Sequence, residues 1–209
     1  MRAAPAWGTR AGTFDAFALV GAERVVRLLL PAPSRDTERT ATWAEVAAAS
    51  RAPVRVDGYT CWSELTELPG GGDAETFEHP AGRVPEPVLG ALVAAVESGA
   101  GAEARAVAER PPGASARGAP LTAVGAPLAP SRPVPPPPAE GRLRDLAVGW
   151  ATRFAGRVWT VDGRTGIAAP QHADSLVVSG PRALHVALLR AGLEAHPVAR
   201  SAPCPITTD

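Results

Sequence analysis

The chain contains no lysine: all 21 of its basic residues are arginine. That absence excludes Schiff-base chemistry on a lysine and the phosphate-binding P-loop, both of which need an ammonium group. An excess of charge is missing too, since 21 acidic residues balance the arginines. Nucleic-acid binders concentrate positive charge, because neutralising phosphates supplies most of their affinity. Here Arg and Glu alternate, as in "RDTERTATWAEV" and "GRLRDL". This is the pattern of a solvated surface, and no nucleic-acid partner is expected. Aromatic residues are only 5% of the chain, so Ala, Val and Leu must do most of the packing. The Arg, Ala and Pro usage resembles the coding bias of a high-GC, actinobacterial genome.

Long apolar runs are also absent. Phe17–Val20 and Val25–Leu30 are far too short to span a bilayer, and polar residues interrupt the N-terminal stretch. No signal peptide and no membrane partner are expected. Cys61 and Cys204 are the only cysteines. Two do not make a disulfide framework, and a reduced cytoplasm suits them.

What is present is, first, a break in composition. From Gly99 to Ala139 the chain is mostly Ala, Pro, Gly and Ser with hardly a bulky apolar residue, and ten prolines fall between Pro111 and Pro138. Such a stretch buries too little to offset its ordering entropy, and it reads as a flexible, polyproline-like linker. Its P-x-x-P spacings also fit a ligand for an SH3-like domain. The division is therefore an N-terminal α/β segment over 1–98, a linker over 99–139 and a C-terminal segment over 140–209. Segments this small are marginal alone. The expected fold is α+β: short strands and amphipathic helices from both segments, docked into one core.

In the first segment "ERVVRLLLP" reads as a buried strand ended by Pro31. Thr42 and Glu45 are spaced as a capping box, which starts a helix at Trp43. "APVRV" is a short strand candidate. "TCWSELTEL" is a short helix capped by Thr60 and closed by Pro69-Gly70-Gly71-Gly72. Val88, Leu89, Leu92, Val93 and Val96 share one helical face, with a stop at Gly99. In the second segment Leu143, Leu146, Trp150 and Phe154 form a helical stripe. "RVWTVDGRTGIAA" is a hairpin about Asp162-Gly163. "DSLVVSGPRALHVALLRAGLEAHPV" reads as strand, helix, strand. Its Ser179-Gly180-Pro181 turn offers one glycine, and Pro181 removes a donor where an anion would bind. It is read as a fold unit rather than a phosphate cradle.

No complete catalytic or metal signature appears: no G-x-S-x-G, no dinucleotide fingerprint, no H-E-x-x-H and no paired C-x-x-C. Neither a metal nor a cofactor is expected. The weak catalytic candidates are Cys61, His79, His172 and Asp174. Cys61 falls in the first turn of a helix, where the dipole lowers a thiol pKa, and His79 would supply the base. The other reading is a buried, inert cysteine. Trp43, Trp62 and Trp159 either fill the core or, with Asp162, belong to a partner-binding surface, since Trp and Arg are enriched at binding hot spots.

Two stretches carry a resemblance. "VVRLLLPAPSRDTERTATWAEVAAAS…CWSEL" and "VWTVDGRTGIAAPQHADSLVVSGPRALHVALLRAGLEAHPV" are similar to an uncharacterised family of small actinobacterial cytoplasmic proteins. The matching positions include Trp43, Glu45, Trp62, Trp159, Asp162, Asp174 and Gly180. The second stretch more loosely resembles SMI1/KNR4-like immunity proteins, which neutralise toxins by binding them. The resemblance bears on the fold more than on the function; the expected role is that of a non-catalytic protein-binding protein, an immunity-like or accessory factor acting through an Arg/Trp surface. The alternative is a small-molecule enzyme of a biosynthetic pathway, using Cys61 or a His/Asp pair.

Overall fold

The computed structural model describes residues 5–49, 55–66, 77–80, 84–100, 104–109, 139–148, 156–169 and 174–205. It is an α+β fold built on a seven-stranded sheet. The sheet strands are β1 (Arg24–Leu29), β4 (Arg105–Glu109), β5 (Ala139–Arg142), β6 (Gly156–Thr160), β7 (Gly166–Ala169), β8 (Ser175–Gly180) and β9 (Ala195–Pro197). Their order is β5-β4-β6-β7-β8-β1-β9. Every neighbouring pair is antiparallel. β2 (Ala32–Pro33) and β3 (Thr40–Ala41) form a separate two-stranded ribbon.

β1, from the N-terminal segment, lies between β8 and β9 of the C-terminal segment. The two segments thus share one sheet and one core. Alternation along β1 explains its apolar run, because both faces are covered. Val26 and Leu28 point to the larger core, with Leu176 and Val178 of β8. That core is closed by α3 (Glu86–Ala100) and α5 (Arg182–Arg190) through Leu89, Leu92, Val93, Val96, Leu184 and Leu188. On the opposite face Val25 packs with Phe14, Ala18 and Val177. Leu29 there packs with Trp43 and Ala47 of α1 (Trp43–Ala49) and with Trp62 and Leu65 of α2 (Trp62–Thr66). α4 (Leu143–Val148) adds Leu143 to the larger core.

Several local expectations hold. Glu45 N–H donates to Thr42 Oγ1 and Thr42 N–H donates to Glu45 Oε2, the reciprocal bonds of a capping box. The 156–169 hairpin turns at Asp162-Gly163, where Gly163 takes φ +71°. Others are corrected. Arg105–Glu109, assigned to the linker, is a strand in the middle of one half of the sheet. Its small side chains are what disguised it: Ala106 is fully buried against the core, while Arg105 pairs with Glu140 of β5. Arg55 and Val56 of the "APVRV" candidate are not in a strand. The helix from Trp62 is not capped by Thr60, whose hydroxyl accepts from Asp57 N–H; Glu64 instead reaches back to Cys61 N–H at 2.7 Å. α3 runs through Gly99 to Ala100. The Pro-rich stretch over 110–138, the glycine breaker, Trp150 and Phe154 lie outside the described residues. Among the described residues no helix is long and apolar enough to cross a membrane.

Candidate functional site

Among the described residues two places gather chemistry-bearing side chains. The first is a buried polar centre on β1. Arg27 is wholly buried, and its guanidinium has a partner on several sides. Nε donates to Ser175 Oγ at 2.9 Å, and Nη2 donates to Asp174 Oδ1 at 3.0 Å. Nη1 donates to Thr60 O at 2.7 Å and to Gly58 O at 3.3 Å. Ser175 Oγ donates in turn to Asp174 Oδ1 at 2.8 Å. The Trp43 ring stacks on the guanidinium, 5.3 Å from Cζ to the ring centre. A buried ion pair survives only with its remaining hydrogen bonds met, as they are here. The centre fastens β1 and β8 to the 57–60 turn.

This placement changes the meaning of the sequence candidates. Asp174 is a structural partner of Arg27, closed off from solvent. His79 Nε2 lies 3.9 Å from Asp174 Oδ2, with its ring edge-on to Trp62. His172 lies outside the described residues. The Cys61 thiol is pushed up by burial and by the Glu64 carboxylate, the reverse of nucleophile activation. Burial pushes Cys204 up to about 11. Trp43, Trp62 and Trp159 are all buried, so they serve the core and not an open partner surface. Trp43 Nε1 donates to Leu30 O at 2.9 Å, and the Trp43 and Trp62 rings meet edge to face at 5.3 Å. Trp159 meets Trp7 in the same way.

The second place is a cleft of about 1300 Å³ between α3 and α5, lined also by the β6–β7 turn and by residues 19–23. Asp162, the remaining predicted partner residue, lines it. Its carboxylate accepts from Thr160 Oγ1 and from Arg164 N–H, which shapes the turn. The Ser179-Gly180-Pro181 corner lines the cleft as well. A Cβ at Gly180 would stand 3.0 Å from Leu184 Cδ2 and 3.3 Å from Thr165 Oγ1, so the glycine serves close packing. Arg182 N–H, at the start of α5, donates to Glu23 Oε2 at 3.0 Å. A carboxylate of the chain itself therefore occupies the position an anion would take.

Sequence reasoning missed the apolar part of this cleft. Val20 and Val186 line it while 60% and 41% exposed. Leu189, also on α5, is 50% exposed. The signal was present in α5, where Leu184 and Leu188 make the buried stripe and Val186 and Leu189 fall outside it. Comparison with protein-family models, with curated proteins and with solved structures finds no match.

Proposed function

We propose that the chain is a non-catalytic protein-binding protein, an immunity-like or accessory factor, acting through the cleft between α3 and α5. The observation that carries this reading is the cleft with water-exposed Val20 and Val186 in its lining. An open cleft with apolar side chains left in water supports a binding role. The competing reading is a small-molecule enzyme using Cys61 or a His/Asp pair. It is disfavoured by the raised thiol and by the commitment of Asp174 to Arg27.

The test uses two variants in a strain lacking the gene. Ala183 is exposed and lines the cleft, so Ala183→Trp blocks it with little cost to the core. Whatever phenotype the deletion gives, Cys61→Ser should restore the wild-type state and Ala183→Trp should not, with both proteins melting like wild type. Failure of Cys61→Ser beside success of Ala183→Trp would hand the function to thiol chemistry.

A further inference from the structure

His196 of β9 stands directly opposite Arg27 of β1, on the sheet face that the 57–60 turn covers. Its ring is half-buried, and its Nε2 is buried with no hydrogen-bond partner among the described residues. A neutral ring tolerates this by keeping its proton on Nδ1, which leaves only a lone pair inside. An imidazolium carries a proton on both nitrogens. It would place a charged donor where nothing accepts it.

The turn above the ring is packed tightly and its acceptors are engaged. A Cβ at Gly58 would stand 2.5 Å from Val198 Cγ1 and 3.3 Å from His196 Cβ. Gly58 O and Thr60 O accept from Arg27 Nη1. Asp57 Oδ1 accepts from Tyr59 N–H, Thr60 N–H and Thr60 Oγ1, the bonds that shape the turn. Tyr59 Oη accepts from Ala199 N–H at 2.8 Å, which fastens the turn to the chain after β9. Burial weighs most against the imidazolium. Asp57 of the turn attracts it, Arg27 of β1 and His185 of α5 repel it, and the net holds the group below its ordinary value. Nε2 has no partner as the turn now sits, so bringing Asp57 to the new donor requires the turn to move.

From this geometry we infer that the 57–60 turn is a pH-sensitive latch, released from β9 when His196 takes up a proton. Release parts Arg27 from its two carbonyl acceptors and undocks Tyr59 from Ala199. The sheet stays folded, because Arg27 keeps Asp174 and Ser175 of the neighbouring β8 segment. In the released turn the ring meets water and regains an ordinary affinity for protons. The latch therefore opens as pH falls below about 6.5.

Tyr59 is the only tyrosine of the chain, so fluorotyrosine labelling of the full-length protein gives one fluorine NMR signal, at the latch itself. The ratio of released to docked signal should rise about tenfold from pH 7 to pH 5. Its midpoint should coincide with that of the His196 Cε1 proton. In His196→Gln, which cannot take the charge, the docked signal should persist alone. A ratio that stays flat while His196 titrates would overturn the latch, as would an equal rise in the variant or a His196 that stays neutral to pH 5. Backbone amide signals of β8, followed in the same samples, should not change; their loss together with the docked signal would mean unfolding of the sheet and would also overturn it. Should the variant fail to fold, the two midpoints in the wild-type chain decide, and a clear separation between them sinks the proposal.

Discussion

In the middle of β1 a guanidinium replaces the side chain that the apolar run "VVRLLL" leads one to expect. Arg27 was legible only as an interruption, because its carboxylate partner, Asp174, is 147 residues away. Asp174 was singled out as a bearer of chemistry, but its role is to neutralise a buried charge. Removing one member of such a pair strands the other, at a cost of about 3–5 kcal/mol. Asp174→Asn should lose that much in urea unfolding. The double variant Arg27→Met/Asp174→Asn should lose less than the two singles together, as a double-mutant cycle requires of coupled groups.

His196, opposite Arg27 in the β1–β9 register, gives a second expectation at this scale. Burial holds its imidazole below the ordinary value; Arg27 and His185 act in the same direction, and Asp57 opposes them. The unfolded chain then takes up the proton more readily. The contribution of His196 to stability is complete above about pH 6.5 and falls as pH drops toward its folded value. Hydrogen bonds hold Asp15, Glu45 and Asp57 low, so their contributions fade only below about pH 4.5. Glu194, raised by burial, acts in the opposite direction as its carboxyl protonates. Melting curves between pH 7 and pH 5 should therefore show wild type losing more stability than His196→Gln. An equal loss in both would remove His196 from the pH response.

At the scale of elements, local patterns were good guides where side chains were large. The apolar run of β1, the Asp162-Gly163 hairpin, the face of α3 and the strand-helix-strand of β8, α5 and β9 could all be read from spacing. β4 could not, because an alternation of Ala with Arg, Val and Glu resembles the Ala-rich stretch that follows it. Caps supplied from afar were hidden for a similar reason. Glu23 caps α5 from 159 residues away, and Glu194 accepts from Trp43 and Ala44 N–H at the start of α1. Glu23→Ala should cost about 1 kcal/mol, the usual worth of a lost N-cap. Amide exchange should rise at Arg182 first, whereas uniform exchange along α5 would mean that the cap does not hold this end.

At the scale of the whole molecule, sequence reading reached the fold class and the sharing of one core, because segments of this size are marginal alone. It could not reach the strand order, in which β1 is inserted between β8 and β9. The cleft was out of reach for the same reason: its walls come from residues 19–23, α3, the β6–β7 turn and α5, which meet only in the folded chain. Of its lining, only Asp162 is legible in the sequence as a partner-binding candidate, and Trp43, Trp62 and Trp159 are core residues. The direct measurement is photo-crosslinking in living cells, with a photoreactive side chain placed either at Val186 in the cleft or at Tyr59, which is 44% exposed and lies outside it. A discrete protein adduct should form from position 186, vanish with Ala183→Trp and be missing from position 59. An adduct from position 59 alone, or one from position 186 that persists with the cleft blocked, would contradict the assignment of binding to the cleft.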